Sequence, residues 1–161
     1  MKLIVLVYSL FVFSIFCFSH SALSETVDVI ERIEPVGIGE TLPHNLELAD
    51  QYGSMQSVKT IMGKQGAILV FSRSVDWCPY CQLQAIDLND RYQEFEELGY
   101  RVAVVTYDSP DAALKFTKKH EIVYPILSDK GSVAIRNFGL LNKNVDPNSQ
   151  QFGIPHPAIY V

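Results

Sequence analysis

Two cysteines separated by two residues, Cys78 and Cys81, follow a continuous apolar run at 67–72. A short apolar run of this kind predicts a buried central strand. A helix is predicted next over 79–98, because its apolar residues recur at helical spacing and form a stripe: Leu83, Ile86, Tyr92, Phe95 and Leu98. The cysteine pair is therefore predicted to lie where the carboxyl end of a strand meets the start of a helix. Open α/β sheets carry their chemistry at this position.

The rest of the chain alternates between further strands and helices. Loose alternation around a turn at 50–53 predicts a hairpin, and 101–107 predicts a second buried strand. Ser109 and the proline after it start a helix that is predicted to end near His120. The segments "YPILSD", "GSVAIRNFG" and "AIYV" predict a strand, a short helix and a last strand. Strands joined by helices predict the α/β class with a parallel core.

The first residues differ in composition from the remainder. One lysine, an uncharged apolar run and small residues predict a signal peptide over 1–24, with cleavage after Ser24 or Ala22. The alternative is an uncleaved membrane anchor, for which the run is slightly short of the required length of about 20 residues. The sequence thus predicts an exported protein, periplasmic or secreted, that contacts the membrane only through this segment. Residues 25–35 are predicted to form a lead-in and 36–161 the folded domain.

Charge and cysteine content restrict the classes of partner. A formal net charge of −5 at pH 7 argues against nucleic-acid binding, which needs clustered Lys and Arg. Cys17 lies within the predicted signal peptide, so its removal leaves Cys78 and Cys81 as the only cysteines. In an oxidising compartment so close a pair is oxidised unless a reductant acts on it.

The helix start gives the two cysteines different chemistry. The thiolate is the nucleophile, and a helix N-terminus lowers the pKa of a cysteine from its usual value of about 8.5. Cys78 is therefore the predicted nucleophile. Cys81, one turn later on the same face and expected to be less exposed, is the predicted resolving cysteine. Pro79 fits the first helical turn, and Trp77, Pro79 and Tyr80 are the predicted substrate contacts.

Two other uses of a cysteine pair are less consistent with this sequence. A zinc site needs two further ligands, but His44, His120 and His156 are each isolated in sequence. A structural disulfide gains least stability when it closes so short a loop. The sequence therefore predicts redox chemistry at the pair, with no metal and no cofactor.

These segments together resemble the thioredoxin-like superfamily on its peroxiredoxin side, the alkyl hydroperoxide reductase/thiol-specific antioxidant family. The resemblance covers 36–161 and rests on "VGIGETLPHNLEL", "GKQGAILVFSRS", "DWCPYC", "VVTYDSP", "YPILSDKGSVAIRNFGL" and "GIPHPAIYV". It implies a thioredoxin-like fold with a central mixed sheet flanked by helices. It also implies a cis-proline beside the cysteine pair, best matched by Pro157 with Pro155 as the alternative. His156 would then lie near the sulfurs, where it could support the thiolate.

The chain departs from the peroxiredoxin pattern at its activating residues. In that alignment Cys81 takes the position of the peroxidatic cysteine. However, Ser74, Cys78 and Pro157 stand where the family carries a proline, a threonine and an arginine. Arg73 is a candidate for the missing cation.

Two further family features are absent from the sequence. The buried acid that relays protons in thioredoxins is missing, and Ser72 holds its place. The family fold continues past the last strand with another strand and a helix, whereas this sequence stops at Val161. The sequence therefore predicts a domain whose C-terminal strand and helix are missing.

These features predict an exported thiol–disulfide oxidoreductase that acts on protein disulfides and is recycled by a thiol reductant. The alternative is a thiol peroxidase that reduces hydroperoxides through Cys81 or Cys78. A further alternative is a non-catalytic thioredoxin-fold module that binds a metal or a partner protein.

Overall fold

A computed structural model describes residues 31–43 and 46–161 of the chain. The predicted signal peptide, Cys17 and His44 lie outside the described residues. Within the described ranges, no helix is both long and apolar enough to span a bilayer.

A six-stranded mixed sheet forms the centre of the fold. Its strands are β1 (Glu47–Ala49), β2 (Met55–Ser57), β3 (Gly66–Phe71), β4 (Tyr100–Thr106), β5 (Ile126–Ser128) and β6 (Ala158–Tyr160). The order across the sheet is β2-β1-β5-β4-β3-β6. Strands β3, β4 and β5 run parallel, while β1 pairs antiparallel with β2 and β5, and β6 pairs antiparallel with β3. The predicted α/β class and mixed sheet are confirmed.

Both faces of the sheet are covered, as continuous apolar strands predict. Side chains alternate along β4: Val102 and Val104 join one buried cluster, and Ala103 and Val105 join the other. Central strands packed on both faces form a rigid support for the loops at their carboxyl ends.

Five helices lie among the described residues. They are α1 (Val58–Ile61), α2 (Pro79–Asp90), α3 (Tyr92–Glu97), α4 (Pro110–His120) and α5 (Val133–Asn137). The start of α4 is as predicted, because the Ser109 hydroxyl accepts the N–H of Ala112 at 3.3 Å and Pro110 is the first helical residue. The hairpin turn is also confirmed: Asp50 accepts the N–H of Gly53, whose φ of +82° favours glycine.

The predicted single helix over 79–98 is wrong, because the chain leaves helical geometry at Arg91. Near the end of α2, the side-chain oxygen of Asn89 accepts the N–H of Val123, in the loop after α4, at 2.9 Å. Leu83 and Leu98, two members of the predicted apolar stripe, are 63% and 67% exposed. After Arg91, Tyr92 and Phe95 of α3 are partly buried and pack against the core.

Asp129 connects β5 to the start of α5. Its buried carboxylate accepts the N–H of Ala134 at 3.1 Å and the N–H of Ile135 at 2.8 Å. Burial raises the pKa of Asp129 to about 6, although these N–H groups act in the opposite direction. Between about pH 4 and pH 6 the Asp129 carboxyl is therefore protonated in the folded protein but largely ionised in the unfolded chain.

This raised pKa predicts a pH-dependent term in stability. The stabilising contribution of protonated Asp129 is complete below about pH 4 and is lost as the pH rises through about 6. We expect Asp129→Asn to remove that term. The difference in unfolding free energy between wild type and variant should then fall by about 1–3 kcal/mol between pH 4 and pH 7 in urea titrations. A difference that stays constant over this range would contradict the assignment.

Candidate active site

The cysteine pair lies at the predicted junction between strand and helix. Cys78 is the N-cap of α2, Pro79 is its first residue, and the Cys78 Sγ accepts the N–H of Cys81 at 3.4 Å. The two cysteines form a disulfide, with their Cα atoms 5.2 Å apart. The predicted position of Cys78 at a helix N-terminus is confirmed.

The predicted order of exposure of the two cysteines is wrong. Cys78 is 2% exposed and Cys81 is 7% exposed. Cys81 is the less buried of the two because it faces a surface cavity that Cys78 does not line.

That cavity, of about 300 Å³, brings several predicted site residues together. Its lining residues come from the end of β3, from α2 and from the residue before β6, and they are Ser72, Arg73, Tyr80, Cys81, Gln84 and Pro157. The predicted proximity of Arg73 and Pro157 to the cysteine pair is thus observed. His156 is exposed and does not line the cavity, so the structure does not place it with these residues.

The predicted cis-proline is wrong. All peptide bonds of the described residues are trans, including those before Pro155 and Pro157. The trans form is favoured at X–Pro bonds by about 0.5–1 kcal/mol. With these bonds in trans, the segment before β6 pairs with residues 140–141. Pro155 forms a β-bridge with Leu141, and the N–H of His156 donates to the carbonyl of Leu140 at 2.6 Å. Pro157 nevertheless lies beside Cys81 in the cavity.

Asp108, which was not among the predicted site residues, anchors the loop that leads to Cys78. Its carboxylate accepts the hydroxyl of Ser74 at 2.8 Å and the N–H of Val75 at 2.7 Å. The Ser74 oxygen in turn accepts the N–H groups of Asp76 at 3.0 Å and Trp77 at 3.2 Å. One buried carboxyl thus fixes four consecutive residues before the N-cap.

The environment of Asp108 is electrostatically unusual. Burial raises the pKa of its carboxyl, while the donors Val75 and Ser74 partly offset that effect. Ser72, which holds the place of the family's buried acid, is itself buried. The buried carboxyl of Asp108 lies in the segment that follows β4, whereas Ser72 follows β3. The sequence contains one indication of this role. Asp108 directly follows the predicted buried strand at 101–107, and that strand pairs with the one that leads to the cysteines.

Aromatic residues directly precede both cysteines, Trp77 before Cys78 and Tyr80 before Cys81. The indole N–H of Trp77 donates to the Tyr107 hydroxyl at 2.8 Å, and that hydroxyl donates to the carbonyl of Gln150 at 3.3 Å. Burial raises the pKa of Tyr107, which keeps its hydroxyl protonated as a donor. Trp77 is 36% exposed and Tyr80 is 80% exposed. Both can therefore contact another molecule that approaches the pair.

The described residues include no group of three or more His, Cys, Asp or Glu side chains placed to hold a metal ion.

The family model for the AhpC/TSA family matches residues 38–161. The chain is 31% identical over 100 residues to the chloroplastic peroxiredoxin Q of Gentiana triflora, covering 62% of this chain and 45% of the relative. It is 29% identical over 109 residues to the thiol-disulfide oxidoreductase ResA of Bacillus thuringiensis subsp. konkukian, covering 67% of this chain and 61% of the relative. The matches thus span about half of the length of these curated relatives.

A solved structure shows similarity in three dimensions. The structure of peroxiredoxin Q from Xanthomonas campestris matches with a TM-score of 0.60 and 25% identity, over 71% of this chain and 73% of that one. This similarity confirms the predicted thioredoxin-like fold class.

Proposed function

The chain belongs to the AhpC/TSA family, and from that premise we propose that it is an exported thiol–disulfide oxidoreductase. The observation that carries the proposal is the Cys78–Cys81 disulfide at the start of α2, with the Cys78 sulfur facing a helical N–H. Proteins similar to this chain are named as a peroxiredoxin and as a thiol-disulfide oxidoreductase. These names support redox chemistry at a cysteine pair.

Reduction of a substrate would proceed through two exchanges. The Cys78 thiolate attacks one sulfur of the substrate disulfide, which forms a mixed disulfide and expels the other substrate sulfur as a thiolate. The Cys81 thiolate then attacks the Cys78 sulfur and releases the second substrate thiol. Two electrons pass from the cysteine pair to the substrate, and the pair ends as the disulfide seen in the structure.

The surroundings of the pair suit this sequence of steps. The N-terminus of α2 stabilises a negative charge on Cys78 in the reduced protein. We propose that the substrate contacts Trp77, Pro79, Tyr80 and Pro157. Each of these residues either adjoins a cysteine of the pair in the chain or lines the cavity at Cys81, and all four are exposed at the surface. A thiol reductant would return the pair to its reduced form, and the predicted signal peptide would place this cycle in an oxidising compartment.

A second candidate function is reduction of hydroperoxides. It is favoured by one observation: Cys81, which aligns with the peroxidatic cysteine, faces the cavity that also contains Arg73. Against it, Ser74 is buried in the hydrogen-bond network of Asp108 and Cys78 is bonded to Cys81. Ser74 and Cys78, which occupy two of the positions that activate the peroxide in peroxiredoxins, are therefore engaged in other contacts.

A parallel assay separates these candidates. We expect the reduced full-length protein to reduce insulin disulfides, and to do so faster than it consumes hydrogen peroxide. The reduction potential of the cysteine pair decides whether the protein reduces or oxidises its substrates. A value near −270 mV is typical of a reductant and one near −120 mV of an oxidant. Peroxide consumption without insulin reduction would overturn the proposal in favour of the peroxidase. Stoichiometric zinc binding with neither activity would leave the non-catalytic module.

A further inference from the structure

Of the described residues, Arg73 is the one charged residue that lines the cavity beside Cys81. Its lining residues are Arg73, four neutral or apolar residues and the disulfide-bonded Cys81. No aspartate or glutamate of the described part of the chain lines it, although the full sequence carries a net charge of −5. A lone cation in a concave surface attracts negatively charged groups and repels positive ones.

Among residues 31–43 and 46–161, no carboxylate forms an ion pair with Arg73. The ion pairs among the described residues involve Arg32, Arg91, Arg101 and Lys143, not Arg73. The Nε of Arg73 is buried and, within the described part of the chain, has no hydrogen-bond partner. Buried donors are nearly always paired in folded proteins, so an unpaired one calls for an explanation such as an absent partner.

Arginine is suited to recognise one kind of partner. Its planar guanidinium donates two parallel hydrogen bonds to a carboxylate, which gives geometric selectivity as well as attraction. Gln84 and Ser72, also in the cavity wall, add neutral polar groups beside it. The volume of about 300 Å³ is at the small end of ligand pockets. It therefore suits a small molecule or one side chain of a polypeptide.

We propose that Arg73 is a specificity-determining residue that selects disulfide substrates bearing a carboxylate close to the S–S bond. This inference rests on the proposed function. Because the Cys78 and Cys81 sulfurs are bonded to each other, a substrate joined to Cys78 stands next to the cavity that Cys81 lines. In the mixed disulfide the carboxylate of the substrate would pair with Arg73 while Cys81 displaces the substrate thiol.

The test uses the full-length protein, reduced beforehand, in single-turnover reactions that need no added reductant. Three small disulfides are compared: 3,3′-dithiodipropionate, which is anionic, 2-hydroxyethyl disulfide, which is neutral, and cystamine, which is cationic. We expect the wild type to prefer the anionic disulfide. Arg73→Met should lower the rate with that substrate at least tenfold, should leave the neutral one within about twofold, and should raise the rate with the cationic one.

Two variants and a salt series complete the test. Arg73→Lys keeps the charge without the planar donors and should retain part of the preference. Arg91→Met changes the net charge equally but alters only an exposed ion pair with Asp87, so it should leave the preference unchanged. In the wild type, higher salt should reduce the preference for the anionic disulfide, because mobile ions screen exposed charges.

The outcomes distinguish this inference from the proposed function. Equal losses for all three disulfides in Arg73→Met would show that Arg73 acts on the cysteine sulfurs and would overturn the inference alone. No reaction with any disulfide would overturn both. Cyclic disulfide peptides with glutamate or glutamine beside one cysteine identify the source of the carboxylate. Preference for the glutamate peptide indicates a polypeptide substrate, and preference confined to dithiodipropionate indicates a small molecule.

Discussion

Replacement of Cys78 with serine is expected to lower the rate of insulin reduction by about 100-fold or more. A serine hydroxyl stays protonated at neutral pH and cannot form the mixed disulfide, whereas a thiolate at a helix N-terminus can. Cys81→Ser should behave differently, because the first exchange needs only Cys78. That variant should lose turnover yet accumulate a covalent complex with substrate, which is visible on a non-reducing gel and is released by dithiothreitol.

The matched control for both variants is Cys17→Ser, which changes a cysteine within the predicted signal peptide and should retain full activity. The assignment of roles would be reversed if Cys78→Ser formed the covalent complex and Cys81→Ser did not. That outcome would agree with the greater exposure of Cys81 and would make Cys81 the nucleophile.

Replacement of Asp108 with alanine is expected to destabilise the fold by about 2–4 kcal/mol. The substitution leaves the Ser74 hydroxyl and the Val75 N–H without their acceptor in a buried site. Each unsatisfied buried group costs about 1–3 kcal/mol. Urea unfolding measures the loss, and insulin reduction by the folded fraction should fall as well, because the same bonds hold the residues before Cys78.

Asp87→Ala provides a control for Asp108. It removes an exposed carboxylate whose partner is Arg91, and exposed pairs contribute at most about 1 kcal/mol. If Asp108→Ala unfolded within about 0.5 kcal/mol of the wild type, the network would not hold the loop.

Features set by local sequence were predicted correctly. The apolar runs became central strands, Ser109 capped α4, and Cys78 took the N-cap of α2 with Pro79 after it. Each of these depends on a few neighbouring residues whose hydrogen bonds are made locally. The family resemblance then supplied the arrangement of the strands in one sheet.

Features set by distant contacts were not predicted. The break at Arg91 depends on Asn89, which bonds a loop more than thirty residues away. The role of Asp108 depends on its contact with Ser74 across two strands. The exposure of Cys81 depends on a cavity whose walls come from three separate segments. No short window of sequence contains these pairs.

The central claim is that the N-terminus of α2 holds Cys78 as a thiolate at neutral pH. The direct measurement is the rate of iodoacetamide alkylation of Cys78 against pH, in a variant with Cys17 and Cys81 both replaced by serine. The account predicts a midpoint at least one pH unit below the value of about 8.5 for free cysteine. A midpoint at or above that value, or a thiol that the reagent cannot reach when the protein is folded, would contradict it.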